Sequence, residues 1–316
     1  KQLPNRPQQQ AATDPGQPPV PSQRTAPSKA SAVDALLQQR ADALRRRDEP
    51  AFMVSVDPQA SPRFYREQRE LFRNLAEVRL SDWSYRVVRD AVAAPARAGA
   101  DETWAPRVEL SYAIDGVDVV PTSRELHYTF VRHGESWYIA DERGDGDKQS
   151  NGWGAPWYYG VCRVARTDSS VIIGHDSNQE LIDRVARMTD DAVETVTEVW
   201  GTEWPQQVGI VLPESQQELQ DTVGPAFAVD GIAAVAVADK VDTEARRVEG
   251  PRVVLNPKTA DNLTDSALRV VIQHEITHVA ARADTVDGAP MWMLEGFADY
   301  VGYRGSTHAP KRIAPE

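Results

Sequence analysis

A single cysteine, Cys162, occurs in 316 residues. One thiol allows no intrachain disulfide and no cysteine-built zinc site. It does not decide the redox compartment, because an exported bacterial protein can lack disulfides altogether. No run of 18 or more apolar residues is present, so no segment reads as a membrane-spanning helix. Positive charge is also scarce. Lys and Arg number 35 against 47 Asp and Glu, which leaves a net charge of −12. A nucleic-acid binder needs a basic footprint to displace counterions from phosphates, so this balance argues against nucleic acid as a partner. It argues more weakly against docking on anionic lipid. Apolar residues make up 41% of the chain, enough for packed cores in about two domains.

The composition changes along the chain. Residues 1–30 are rich in Pro, Gln, Ser and Ala, including Pro4, Pro7, Gln8-Gln9-Gln10, Pro18-Pro19 and Pro21. Such a segment buries too little to fold and reads as a disordered tether. The sequence starts at Lys1 rather than Met. We expect an export or membrane-anchoring arrangement upstream of residue 1, and hence a secreted or envelope-tethered, extracytoplasmic protein.

Residues 31–143 read as a first domain. Ser31 is placed to cap a helix through Val33, Leu36, Leu37 and Leu44, and a second helical stretch covers residues 64–75. Apolar residues then alternate with polar ones, at Trp83-x-Tyr85-x-Val87, Val108-x-Leu110-x-Tyr112-x-Ile114, Leu126-x-Tyr128-x-Phe130 and Trp137-x-Ile139. Period two marks about four half-buried strands, the last two joined by a hairpin at Gly134-Glu135. Helices followed by antiparallel strands predict an α+β domain with helices packed on a curved sheet. The closing segment Tyr128-Thr129-Phe130 and Trp137-Tyr138-Ile139 is similar to the NTF2-like (SnoaL-like) cone fold. That likeness is architectural and carries no function.

Residues 144–156 form a Gly/Asp-rich linker, and residues 157–316 read as a second α+β domain. Strands are expected near residues 161–164, 171–173, 207–212, 232–238 and 252–255. A long helix spans 178–200, a short one spans 214–222, and another runs from Thr264 or Asp265 to about Ala281.

That last helix carries the chemistry, in His274-Glu275-Ile276-Thr277-His278. Histidines four apart share one helix face, so two imidazoles can meet one Zn2+. Glu275 is rotated about 100° from His274, which suits a base acting on water beside the ion rather than a ligand. A second helix, opened by Pro290, contains Glu295 as the third ligand. One turn on, Asp299 can accept the free ring N–H of a ligand histidine, expected to be His274. Trp292 and Tyr300 are expected to pack in the core, and Gly296 to allow close approach of the two helices. Cys162 reads as a small buried hydrophobe. His127, His133 and His175 stand alone and receive no role.

His274-Glu275-x-x-His278 followed by Glu295-x-x-x-Asp299 resembles the gluzincin zinc metallopeptidases. Trp292-x-x-Glu295-Gly296-x-Ala298-x-Tyr300 resembles their peptidase MA-like branch. The likeness covers roughly residues 160–305. It implies a zincin-type α+β domain, zinc on His274, His278 and Glu295, and Glu275 as general base. It also implies an edge strand along which a peptide or protein substrate lies extended, with Arg252-Val253-Val254-Leu255-Asn256 in the corresponding place. The helical subdomain that follows in such enzymes normally supplies an oxyanion donor. Here Tyr300, Tyr303, His308 and Trp157-Tyr158-Tyr159 are the candidates, none at a convincing spacing. Two functions follow as expectations: a zinc peptidase, or a binding or scaffold protein of the cell envelope that keeps the metalloprotease fold without turnover.

Overall fold

The computed structural model describes residues 28–92, 94–142, 154–224, 227–286 and 288–306. The expected tether up to residue 27, most of the 144–156 linker and His308 lie outside them. The fold is α+β, with helices packed on one antiparallel and one mixed five-stranded sheet.

The first half opens with α1 (Lys29–Arg45), α2 (Glu49–Met53) and α3 (Pro62–Asn74). Ser28, not Ser31, caps α1. The Ser28 hydroxyl accepts the Ser31 N–H at 3.2 Å, because Ser31 already sits inside the first turn and supplies a donor. Ser61 caps α3, and Pro62 occupies its first position, where no N–H is needed.

Five antiparallel strands follow: β1 (Leu80–Val92), β2 (Glu102–Ile114), β3 (Thr122–His127), β4 (Thr129–His133) and β5 (Ser136–Asp141). The alternation through Leu126, Tyr128 and Phe130 is two strands rather than one. β3 pairs with the second half of β2 and β4 with its start. This break, with register shifts in the β1/β2 and β4/β5 ladders, bends the sheet around its helices. Val108, Leu110 and Tyr112 of β2 meet Val33, Leu37 and Leu44 of α1 in the resulting core.

The second half contains β6 (Arg163–Arg166), β7 (Ser170–Gly174), α4 (Gln179–Trp200), β8 (Val208–Val211), α5 (Gln216–Val223), β9 (Ala234–Val237), β10 (Lys240–Asp242), β11 (Arg247–Glu249) and β12 (Arg252–Leu255). Then come α6 (Pro257–Ala260), α7 (Asp265–Ala281) and α8 (Met291–Gly302). The sheet order is β6-β7-β8-β12-β9, parallel at β7–β8 and β8–β12 and antiparallel at both ends.

Strand alternation sends successive side chains to different cores. Ile172, Ile210, Val253 and Leu255 pack under α4 and α7. Val211 and Val254 face Leu219 and Val223 of α5. Val171 and Ile173 join the core of the first half. Both faces of the sheet are thus covered, which explains strands that are apolar throughout.

Trp157, in a 3-10 turn (Pro156–Tyr158), also enters the first core. Its ring meets Tyr112 and Trp83 edge-on at centroid distances of 5.5 and 6.0 Å. Burying a ring of this size contributes about 3 kcal/mol. Cys162 is buried beside it, as expected of a small hydrophobe.

Charge completes the interface. Arg252 alternates with Val253 and so points toward the first half. There its guanidinium donates to both oxygens of Asp118 at 2.6 and 2.7 Å. Gly209 lies opposite Arg252 on the neighbouring strand. A Cβ there would stand 2.9 Å from Arg252 Cδ, so only glycine leaves room for the buried stem. Arg163 reaches Glu77 at 2.5 Å, and Arg124 pairs with Asp239.

Candidate metal centre

α7 forms as its spacing predicts. The Thr264 hydroxyl accepts the Ala267 N–H at 3.2 Å, and Asp265 in the first turn suits the helix dipole. Leu268, Ile272, Ile276 and Ala280 are buried against the sheet and α4. His274 and His278 are offset by two residues, about 200° round the axis, and therefore face the other way.

α8 lies across that face. Buried Gln273 donates to the carbonyls of Val301 at 2.5 Å and Arg304 at 3.2 Å, holding the C-terminal end of α8 against α7. The close approach expected at Gly296 occurs instead at Gly302. A Cβ on Gly302 would stand 3.1 Å from the Val270 carbonyl and 3.2 Å from His274 Cβ, whereas one on Gly296 would meet open space. Ala298 and Val301 are the buried members of α8 beside Gly302. Trp292 and Tyr300, expected in the core, are 77% and 58% exposed. Their type suggested burial, but the inward row at Ala298, Val301 and Gly302 sets the rotation of the helix and turns them out.

That rotation brings the site residues together. His274 Nε2 is 3.2 Å from His278 Nε2 and 3.2 Å from Glu295 Oε2, and His278 Nε2 is 3.6 Å from Glu295 Oε1. A tetrahedral ion about 2.1 Å from each ligand atom spaces those atoms about 3.4 Å apart. The two ring nitrogens and one Glu295 oxygen, a triangle of atoms all within 4.8 Å of one another, are near enough to gather round such an ion, with a fourth position left for water or substrate. Asp299 Oδ1 lies 2.9 Å from His274 Nδ1. Accepting the Nδ1 proton leaves the Nε2 lone pair of His274 directed at the triangle. A proton shared between the rings would satisfy two of the three groups, whereas a cation satisfies all three. Among the described residues, this is the one group of three or more His, Cys, Asp or Glu with ligand atoms gathered within 4.8 Å. Apolar sequence neighbours do not enclose the acids: the Glu295 and Asp299 side chains are about half exposed, at 48% and 59%.

The electrostatics separate the roles. Burial pushes the Glu275 carboxyl up, with Glu295 adding to that, while His274 and the Ala236 N–H pull it down. The net rise makes it a better proton acceptor than a surface carboxylate. Burial, then the charge of His274, lowers His278 against the pull of Glu295, which favours the neutral ring a metal needs.

A cleft of about 640 Å3 opens over His274, Glu275, His278 and Glu295. Its far wall is β9, not the expected segment at Arg252. β12 is an inner strand between β8 and β9, and β9 is the edge. The hairpin of β10 and β11 turns the chain back, so the later strand enters inside the earlier one. Alternation within single strands carries no information about that order. Ala236, which lines the cleft beside Glu275, is accordingly a site residue that periodicity could not reveal.

Among the described residues no tyrosine lines this cleft. Tyr158 and Tyr159 line a separate cavity of about 680 Å3 in the first half, bound to Glu142 and Asp221. Among the described residues the other histidines each find an acid. His127 and His133 lie 3.6 and 3.1 Å from Glu125 and Asp57. His175 is buried and lies 2.9 Å from Glu218.

No family model and no curated protein matches this chain. Two solved structures are similar over part of it. A Mycobacterium tuberculosis protein of unknown function is 13% identical, covering 41% of this chain and 82% of its own, with a TM-score of 0.27. A candidate aromatic ring hydroxylase of Novosphingobium aromaticivorans is 14% identical, covering 36% and 85%, with a TM-score of 0.26.

Proposed function

We propose that this chain is a zinc-dependent peptidase of the gluzincin, peptidase MA-like kind, acting outside the cytoplasm on a peptide or protein substrate. The observation that carries the proposal is the gathering of His274, His278 and Glu295, whose ring nitrogens are 3.2 Å apart and each face one oxygen of the carboxylate, at 3.2 and 3.6 Å, set beside a strand edge. Two imidazoles and a carboxylate are the donor set of hydrolytic zinc sites. Bound there, zinc would polarise a substrate carbonyl and make water more acidic.

The protein's own groups do the rest. Asp299 fixes the tautomer and orientation of His274. Glu275, whose carboxyl is raised by burial, takes a proton from water and passes it to the leaving amine. Among the described residues β9 pairs with β12 alone, so its outer edge is open to an extended peptide as an added strand. The first half of the chain reaches the cleft through Arg124, whose ion pair with Asp239 steadies the chain just past β9. The Pro/Gln-rich composition of residues 1–30 supports the extracytoplasmic setting.

Glu275→Gln should retain near-stoichiometric zinc by elemental analysis and lose all cleavage of a mixed peptide library. A variant that cleaves as well as the parent overturns the mechanism, and a parent that binds no zinc removes its basis. Zinc binding without cleavage by the parent would favour the scaffold reading. The lack of a tyrosine in the cleft among the described residues is the observation on that side.

A further inference from the structure

We infer that Arg282 selects peptides carrying a carboxylate about two residues from the bond that lies over the metal triangle. This rests on the peptidase reading and specifies its substrate class.

The backbone stays helical through Arg282, at φ −58° and ψ −40°. His274, His278 and Arg282 therefore fall at positions i, i+4 and i+8, in one row on one face. Arg282 stands about 6 Å beyond His278 along the axis. It lines the same cleft and is exposed.

The other charged groups of the cleft are committed. Arg124 is paired with Asp239. Glu275 lies beside Ala236 of β9, and Glu295 faces both histidines. Nearby Asp284 is bound by Arg246. Among the described residues Arg282 has no acidic partner, so it is the unpaired guanidinium of the cleft.

Its place along β9 is also defined. The turn Arg282–Asp284 lies against β10 and β11, which follow β9. Arg282 thus marks the end of the cleft at Ala238 and Asp239. The part of the lining at Val223, Gly224 and Phe227 is uncharged. An extended peptide advances about 3.4 Å per residue, so about 6 Å spans two residues, and side chains two apart share a face. A carboxylate at that distance meets the guanidinium, which can bind both of its oxygens.

The test uses the zinc-loaded full chain and matched peptides with Asp, Asn or Lys at each position within three residues of the cleaved bond. The Asp-over-Lys rate ratio should reach about fivefold at one position and shrink as salt is raised. Arg282→Ala should bring that ratio near one, and Arg282→Glu should invert it toward Lys. The ratio is internal to each variant, so partial loss of folded protein does not move it. A second arm compares free and amidated C-termini and tells a terminal carboxylate from a side-chain one. The same peptides are titrated onto Glu275→Gln by fluorescence anisotropy, which reads charge selection without turnover. Selective binding with no cleavage by the parent overturns hydrolysis but keeps the role of Arg282. Equal treatment of Asp and Lys peptides, no binding of any peptide, or a preference unmoved in Arg282→Glu overturns the inference.

Discussion

Among the described residues two histidine–carboxylate groups lie in the second half of the chain, and they are built to opposite rules. At His175 and Glu218 every polar atom is answered from within. His175 Nε2 meets Glu218 Oε1 at 2.9 Å, and Nδ1 meets the Val161 carbonyl at 3.2 Å. The second Glu218 oxygen accepts the Glu214 N–H at 2.8 Å. Both side chains are nearly sealed, at 3% and 0% exposure. At His274 and His278 two ring nitrogens face each other beside a half-exposed carboxylate, and the protein supplies nothing between them. The first group has the pattern of a structural bond, since buried ionisable groups must be paired to persist. The second has the pattern of a donor set for a cation. The contact distances are similar, so closure of the surrounding hydrogen bonds is what distinguishes them.

The strongest way to break this contrast is to cut the closed pair. Glu218→Ala leaves His175 sealed without its partner and should destabilise the fold by about 3 kcal/mol in urea titration. Zinc affinity should stay unchanged. A loss below about 1 kcal/mol would show that the pair is not structural.

The open group should respond to metal instead. Zinc at a hundred times its dissociation constant should stabilise the chain by about 2.7 kcal/mol. Glu295→Ala should remove that gain, and Asp299→Asn should weaken zinc by about 10- to 100-fold, read by chelator competition. Equal zinc affinity in all three proteins would separate the triangle from metal binding.

The smallest effect comes from pH. Burial alone lowers His175, but the hydrogen bond and charge of Glu218, with Glu214 and the Val161 carbonyl, leave its pKa raised overall. A raised histidine contributes stability that is complete below its unfolded value of about 6.5 and is lost as pH rises through the folded value. The parent should therefore weaken upward from about pH 6.5 more steeply than Glu218→Ala. Parallel pH curves for the two proteins would refute the link.

What was legible in the sequence was whatever depends on neighbours along one helix. The cap at Thr264, the face shared by His274 and His278, and the turn from Glu295 to Asp299 all follow from local spacing. Identities decided by distant partners were not legible. Whether β9 or β12 forms the edge depends on how the chain returns after the β10–β11 hairpin. Whether Gly296 or Gly302 meets α7, and whether Trp292 faces in or out, depends on one rotation set by helix–helix packing. The pairing of His175 with Glu218 spans 43 residues and left no periodic signal.

The position of Trp157 has a consequence for how the molecule holds together. A residue that follows the linker fills the middle of the first half's core, and Val171 and Ile173 of the second sheet complete it. Neither half then owns a finished interior. Cutting the chain at the linker would leave a void on one side and an unshielded indole on the other. The two halves should therefore melt in a single cooperative step, and the cleft beside β9 inherits its rigidity from residues more than a hundred positions away in sequence, such as Asp118 beneath Arg252.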